Sequence, residues 1–347
     1  MPDIRKLAFD LNTLLACQGF NELFVSAGTP LRLSRILDSA DEGLLPQVQG
    51  DNKGRLKYTN LTVLYNSERR VPFVSAYNID GGLKVSGVRR AAGFKPDHRI
   101  DLDIQLSEEG FYDLITESTE FEIGHMAANN EMAWGEVAQL QSYQTFHFPN
   151  SVPQAERLNT GIWKTLETYI IDESATIPGH QQISVFSGPV LRSDDPPYKA
   201  DNSFQVPLLF YKVIVFAAPS GIYSTAFIMS HEAKLRKDRL LVGVGPLGAA
   251  APEVFGDFKY KKVFQVNISL LEEISGLDFS FPRVKKIKVP GDRNQIKAIR
   301  QIENAADATE RERVLRNGEI PVNAIAMGHV ATRDIQEKNF KLNIILP

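Results

Sequence analysis

Three apolar runs in the second half of the chain constrain its fold most. They read QQISVFSGPVL at residues 181–191, QVPLLFYKVIVFA at residues 205–217 and YSTAFIMS at residues 223–230. β-Branched and aromatic residues favour strands, and the middle run is apolar enough to be a buried central strand. Helical spacing occurs in other parts of the chain, at residues 107–115, 131–143 and 159–169. Because strand blocks and helix blocks are segregated along the chain, we expect an α+β fold.

The sequence divides into three segments. Residues 1–54 have mostly helical patterns and end in the polar, glycine-containing stretch GDNKG, which predicts a linker or long turn. The main domain is expected at residues 55–282, and it opens with a predicted hairpin formed by LTVLY and VPFVSAYNI. Residues 283–347 are basic and then highly charged, which predicts a C-terminal charged extension whose end could carry a strand.

Composition and charge narrow the classes of function. The chain has 43% hydrophobic and 23% charged residues, as an ordinary soluble protein has. Its formal charge of −3 gives no global basic field, so a polyanion would have to bind a local cluster of Lys and Arg. Cys17 is the only cysteine, which excludes an internal disulfide and argues against thiolate zinc sites. With no signal-peptide core and no membrane-spanning apolar run, we expect a cytoplasmic protein with no membrane partner.

The most informative stretch reads FEIGHMAANNEMAWG at residues 121–135 and FPNSVPQAERLNTGIWKTLETYI at residues 148–170. Phosphodiester hydrolysis needs a base beside a water molecule and a cation at the developing negative charge. Histidine is the side chain best suited to take a proton near neutral pH. His125 follows Gly124, which would let a phosphate approach the backbone. We therefore interpret His125 as a catalytic base, although a lone histidine is more often structural.

A cation site is predicted from the second part of this stretch. Asn159 and Glu167 are eight residues apart, a little over two helical turns, and so lie roughly on one flank of the helix. Trp163 and Leu166 form an apolar stripe that would fix this helix to the core. Amide and carboxylate oxygens suit magnesium, directly or through its waters, although Asn159 alone would be interpreted as a helix N-cap. Asn150 is expected to steady the loop or to contact the same site.

These residues resemble a known family, the DNA/RNA non-specific endonucleases (ββα-metal, endonuclease G-like nucleases). The similarity rests on the Gly-His pair at 124–125, on Asn-x-x-Pro-Gln at 150–154 and on Leu-Asn-x-x-x-Trp-x-x-Leu-Glu at 158–167. The intervals between these motif residues agree with the family pattern. Weaker similarity extends over residues 56–282.

The resemblance implies a fold, a chemistry and partners. The implied ββα-metal fold has a central antiparallel sheet flanked by helices, with N- and C-terminal extensions. The implied roles are general base for His125, metal ligand for Asn159 and orientation of metal-bound water for Glu167, with Mg²⁺ or Mn²⁺ as cofactor. Cleavage of DNA or RNA would have little sequence specificity and would leave 5′-phosphate ends. A homodimer is also implied, and we expect an inhibitor or regulatory partner because a free nuclease would harm its own cell.

The chain departs from the family pattern at three positions. Ile123 and Ala92 stand where the family has arginines, and Glu122 stands where it has Asp. We place Glu122 on the substrate side of the site and expect Arg89 and Arg90, which lie near Ala92, to bind substrate instead. The departures leave two alternatives open. One is a degenerate, non-catalytic nucleic-acid-binding module, and the other is a regulated effector or interaction protein.

Other sequence patterns are weaker. The segment at residues 243–248 matches a dinucleotide-binding glycine pattern, but Pro246 interrupts the turn and no βαβ unit is convincing. Basic runs at residues 89–99, 259–262 and 285–288 are typical of solvated surfaces, although a nuclease must neutralise phosphates somewhere. Trp134 and Trp163 are expected in the core.

Overall fold

The main feature of the fold is a large, mostly antiparallel sheet. The computed structural model describes residues 3–108, 111–112, 121–155, 158, 162–176, 181–238, 240–241, 263–288 and 332–335. The strands of the large sheet, together with those of a separate two-stranded sheet, are β1 (Arg55–Tyr58), β2 (Leu61–Asn66), β3 (Val71–Asp80), β4 (Phe121–His125), β5 (Ser151–Ala155), β6 (Gln182–Val190), β7 (Leu209–Ala218), β8 (Gly221–Ser230), β9 (Val263–Val266), β10 (Val284–Lys286) and β11 (Thr332–Ile335). In the described part of the chain, the large sheet has the order β1-β2-β3-β6-β7-β8-β9-β11, with β10 parallel to β8. The small sheet pairs β4 with β5.

Helices in the described residues are α1 (Ile4–Ala8), α2 (Leu11–Leu15), α3 (Ser39–Glu42), α4 (Ala138–Gln144), α5 (Ile162–Thr176), α6 (Glu232–Lys237) and α7 (Ile268–Ser275). Aspartates cap the short N-terminal helices; Asp38, for example, accepts hydrogen bonds from the first-turn amides of α3. α7 ends at Gly276, whose left-handed φ of 72° suits glycine. No helix within the described ranges has the length and apolar character needed to cross a membrane.

The predicted strands are confirmed, and so is the α+β class. β7 contains the apolar run that was expected to be a central strand, and it pairs with β6 on one side and β8 on the other. The predicted hairpin of β2 and β3 is also present. Because β-branched and aromatic residues fill these strands, both faces of the middle of the sheet can be buried.

The two faces of the sheet differ in chemistry. Ser75 on β3, Ser187 on β6 and Lys212 on β7 lie directly opposite one another across the ladders, so they share one face. Tyr77 lies two residues beyond Ser75 and belongs to the same face. This polar row crosses a sheet whose residues are otherwise mainly apolar, and all four side chains are buried. Buried polar groups need partners, so this face requires a polar layer above it.

The unit that supplies this layer is formed by β4, β5 and α5. β4 and β5 are antiparallel, and α5 follows them in the chain, which gives the order ββα. Residues of this unit and of its connecting loop bond to the polar row of the sheet, as Asn150 does to Ser75 and Glu131 does to Lys212. The fold is therefore the ββα-metal fold that the resemblance implied.

Two helix predictions need correction. Residues 1–54 are not mostly helical: the described part has only short helices joined by turns. Its apolar side chains, including Phe20, Leu33 and Ile36, pack into the same core as the sheet. This packing holds the segment in an irregular backbone conformation in place of the long helices that the pattern predicted. The helix predicted at residues 131–143 starts only at Ala138, because Gly135 has a φ of +70° that an α-helix does not allow.

The remaining predictions about segments have mixed outcomes. α5 extends the helix predicted to end at residue 169 as far as Thr176. Much of the helix predicted at residues 107–115 lies outside the described residues. In the predicted C-terminal extension, β10 and β11 pair with strands of the main sheet. The three-segment division itself stays a prediction.

Candidate active site

His125 is the last residue of β4 and lies opposite Ser151 of β5. The imidazole packs between two aromatic rings, because the centroids of Phe94 and Phe146 each lie 4.5 Å from its own. The side chain is buried, and its Nε2 atom has no hydrogen-bond partner among the residues that the structure describes. Buried nitrogen atoms are usually hydrogen-bonded, so Nε2 is a candidate to accept a hydrogen bond from a bound water molecule.

The imidazole of His125 is neutral at physiological pH. Its pKa is lowered to about 3, mainly by burial and further by the positive charges of Arg90 and Lys212. A neutral imidazole can accept a proton, whereas a protonated one cannot. A phosphate anion beside it would raise the pKa again and make it a stronger base.

Asn150 holds the backbone around the end of β4. Its Oδ1 accepts hydrogen bonds from the Ser75 hydroxyl at 2.9 Å and the Ala127 amide at 3.0 Å. Its Nδ2 donates to the carbonyls of Ala127 and Thr145, both at 2.9 Å. These four bonds use both donors and both lone pairs of the amide. Asn150 thus fixes the chain that follows His125 against the sheet.

A buried lysine lies beneath this segment. The ammonium group of Lys212 donates to the Tyr77 hydroxyl at 2.7 Å, the Met126 carbonyl at 3.2 Å and the Glu131 carboxylate at 3.0 Å. Tyr77 donates to the same carboxylate at 2.8 Å. The cluster is enclosed, since Lys212 is 0% exposed and Glu131 1%. A buried ammonium is stable only with such partners.

Glu167 on α5 reaches the same ammonium. One of its carboxylate oxygens lies 3.6 Å from Nζ of Lys212. Burial raises the pKa of Glu167 to about 8; the charge of Lys212 opposes the shift and Glu131 adds to it. The cluster therefore contains two carboxyl groups and one ammonium group. A cation placed beside Glu167 would favour its ionised form and lower this pKa again.

The predicted substrate residues Arg89, Arg90 and Glu122 differ in how they relate to His125. Arg90 is exposed, and its guanidinium carbon is 5.8 Å from the centre of the Phe146 ring that packs on His125. Arg89 is also exposed, and its backbone exchanges hydrogen bonds with the Gln139 side chain. Glu122 is half-buried on β4, three residues before His125. Of these three residues, Arg90 has a described side-chain contact that brings it to the site.

The predicted metal ligand Asn159 lies outside the described residues. Within the described ranges, no group of three His, Cys, Asp or Glu side chains is arranged to hold a metal ion. A site of the predicted kind, one amide oxygen with water molecules, would not form such a group.

Arg99 differs from the other residues of its basic run. It is buried and bonds to Asp97 through Nε at 3.0 Å and through a terminal nitrogen at 2.7 Å. This pairing lowers the pKa of Asp97 to about 2 despite its burial. Arg99 therefore stabilises the fold and is not a solvated or phosphate-binding arginine. Residues 259–262 of the second basic run lie outside the described ranges.

Sequence reasoning missed Lys212, Glu131 and Tyr77. The signal for Lys212 was present, because a single lysine in the apolar run LLFYKVIVF must find a buried anion. Glu131 had no comparable signal, since its segment was interpreted as part of a helix.

Comparison with known proteins decides the family. The model of the family described as "DNA/RNA non-specific endonuclease" matches residues 41–285. The chain belongs to this endonuclease family. The match includes every residue of the candidate site. It also begins before β1, in agreement with the packing of the N-terminal segment against the sheet.

Curated relatives of this family member are distant. It is 26% identical over 235 residues to "Nuclease EXOG, mitochondrial" of Homo sapiens, covering 66% of this chain and 57% of that protein. It is 27% identical over 223 residues to "Uncharacterized protein y4fB" of Sinorhizobium fredii (strain NBRC 101917 / NGR234), covering 62% and 33%. The chain thus spans less than two thirds of the length of either relative. A solved structure of the EndoG/EndoGI complex, concerned with EndoG inhibition, matches 65% of this chain and 85% of its own with a TM-score of 0.46 and 20% identity.

Proposed function

We propose that this endonuclease-family chain hydrolyses phosphodiester bonds of DNA or RNA with a divalent metal ion and with His125 as general base. One observation carries the proposal. The imidazole of His125 is neutral and buried, and its Nε2 atom has no hydrogen-bond partner in the described part of the chain. Aromatic packing between Phe94 and Phe146 fixes the direction of the ring. These are the properties that a base needs before water and substrate bind.

In the proposed reaction, Nε2 of His125 takes a proton from a water molecule. The hydroxide attacks phosphorus, the bond from phosphorus to the 3′-oxygen breaks, and the leaving oxygen takes up a proton. The products are a 5′-phosphate and a 3′-hydroxyl group. Arg90, with Arg89 and Glu122 as further candidates, would contact the substrate, mainly at its backbone, so sequence preference should be weak and salt sensitivity strong.

The chemistry of the site fits a divalent cation. Two carboxyl groups, those of Glu131 and Glu167, lie beside the single ammonium group of Lys212. A divalent cation near Glu167 would favour the ionised form of this residue, which burial disfavours. We propose Asn159 as the protein ligand and Glu167 as the residue that orients water beside it. When bound, Mg²⁺ or Mn²⁺ would stabilise negative charge on the phosphate and the leaving oxygen.

We further propose that the chain forms a homodimer, that an inhibitor or regulatory partner controls it and that it is cytoplasmic. We place the limits of the main domain at residues 55 and 282, as the sequence predicts.

The central experiment is a plasmid-nicking and RNA-hydrolysis assay with Mg²⁺, Mn²⁺ or EDTA. We expect the wild type to cut with metal and not with EDTA, and His125→Ala to be about 10²- to 10⁴-fold slower. His98→Ala is the matched control, because His98 is an exposed histidine outside the site. Thermal melts confirm that each variant is folded. An active His125→Ala protein would overturn the assignment of the base.

A non-catalytic nucleic-acid-binding module is the second candidate. Ile123 favours it, because this residue packs against the aromatic cluster of Phe94 and Phe146 where the family has an arginine. A wild type that binds DNA but does not cut it with either metal would support this candidate over the nuclease.

A further inference from the structure

Lys212 contacts two parts of the candidate site at once. Its ammonium group donates to the carbonyl of Met126, the residue directly after His125, at 3.2 Å. It also lies 3.6 Å from a carboxylate oxygen of Glu167 on α5. β4 and α5 are separate elements of the ββα unit, and the ammonium group lies between them. One charged group of the underlying sheet therefore contacts both the backbone beside His125 and the carboxyl group of Glu167.

The position of the ammonium group is itself fixed. Tyr77 and Glu131 bind it at 2.7 and 3.0 Å, and Tyr77 also donates to Glu131. The same oxygen of Glu131 accepts the amide of Ala128, which lies three residues after His125. None of these contacts is open to solvent, because Lys212 and Glu131 are buried. In a buried network every member restricts the others.

We propose that Lys212 is a positioning residue for the nuclease reaction. It holds Glu167 and the backbone that follows His125 in a fixed relation, and Glu131 and Tyr77 hold Lys212. Lys212 does not touch the substrate, because it is enclosed by protein. The inference rests on the proposed function, since it assigns a role within that reaction.

If Lys212 contributed only to the stability of the fold, its substitution would have a different effect on turnover. If Lys212 only neutralised Glu131, the two residues would form a self-contained pair whose joint removal leaves the site intact. If Lys212 positions Glu167, joint removal of the pair restores stability but leaves Glu167 without its ammonium partner. The two cases are separated by comparing the unfolding free energy with the turnover rate in the same variants.

The test uses the full chain with Lys212→Met, and with Lys212→Met combined with Glu131→Gln. We expect the single variant to be strongly destabilised and the double variant to regain most of the loss. We expect kcat of the double variant to fall at least tenfold with KM changed less than twofold, because a buried group away from the substrate affects turnover and not binding. The control is Arg69→Met with Asp195→Asn, an ion pair of 2.6 Å between the partly buried Arg69 at the turn from β2 to β3 and the buried Asp195 after β6. This control should lose stability and keep kcat.

A second measurement tests whether Lys212 acts through Glu167. Glu167→Gln is made in the wild type and in the double variant, and kcat is compared. We expect a large loss in the wild type and less than a threefold further loss in the double variant, because the carboxylate is already misplaced there. Full additivity, or a double variant with wild-type kcat, would overturn the inference while the nuclease function stands. A wild type without nuclease activity would overturn both.

Discussion

The side-chain amide of Gln154 lies against the Cα atom of Gly124 and leaves no room for a side chain there. A β-carbon on Gly124 would lie 2.6 Å from Cγ of Gln154, and closer still to the amide group. Gln154 is fully buried on β5, the strand that pairs with β4. The glycine before His125 therefore has a packing reason, in addition to the approach of phosphate that we expected from the sequence.

We expect Gly124→Ala to lower the free energy of unfolding by about 1–3 kcal/mol, because the added methyl group overpacks the β4–β5 pair. Gln154→Ala in the same chain should regain part of this loss, since it removes the atoms in collision. Gly28→Ala is the matched control, because its new methyl group would meet only the Ser26 hydroxyl at 3.9 Å. Urea unfolding followed by tryptophan fluorescence measures the three variants. A Gly124→Ala protein as stable as the wild type would contradict the packing argument.

Local patterns were sufficient to predict the strands and the helix that carries Glu167, and they made His125 a candidate catalytic residue. They could not predict the network beneath the site, because its contacts join residues far apart in the chain. Lys212 is 135 residues from Tyr77 and 81 from Glu131. Likewise, sequence could suggest that Asn150 steadies a loop, but not that the carbonyls of Ala127 and Thr145 use both of its donors.

Asn150 should affect activity through the position of His125. Asn150→Ala leaves the Ala127 amide and two buried carbonyls without partners, so we expect about 2–4 kcal/mol of lost stability and a large drop in kcat. Asn150→Asp keeps the acceptors and loses both donors, and it should also be destabilised. Urea unfolding and plasmid nicking on the same preparations measure both effects. An Asn150→Ala protein with unchanged stability and no activity would show instead that the amide acts directly in the chemistry.

Arg90 should contribute to binding of the substrate backbone. It is exposed beside the Phe146 ring, close enough for its charge to lower the pKa of His125. We expect Arg90→Ala to weaken DNA binding several-fold and to reduce the slope of log affinity against log salt by about 1. The control is Arg35→Ala, an arginine that lies 3.8 Å from Asp278 outside the site. Fluorescence anisotropy with EDTA, over a series of salt concentrations, measures both. Equal salt slopes for the two variants would remove Arg90 from the interface.

His125 should also make the fold sensitive to acid. Its pKa is about 3 in the folded protein, whereas a histidine in an unfolded chain has a pKa near 6.5. Between these values the unfolded chain binds a proton that the folded chain does not, so stability is complete above pH 6.5 and falls as the pH is lowered toward 3. One such group changes the free energy of unfolding by about 1.4 kcal/mol per pH unit.

His125→Phe isolates this contribution, because a phenyl ring can pack between Phe94 and Phe146 but cannot titrate. Other buried histidines, such as His231 with a pKa of about 4, keep their effect in both proteins and cancel in the difference. We therefore expect the two stability curves to diverge steadily from pH 6 to pH 4, with the wild type losing more. Urea unfolding at half-unit intervals of pH gives both curves. Parallel curves would mean that His125 is protonated in the folded state at these pH values, and the neutral base proposed for catalysis would then be wrong.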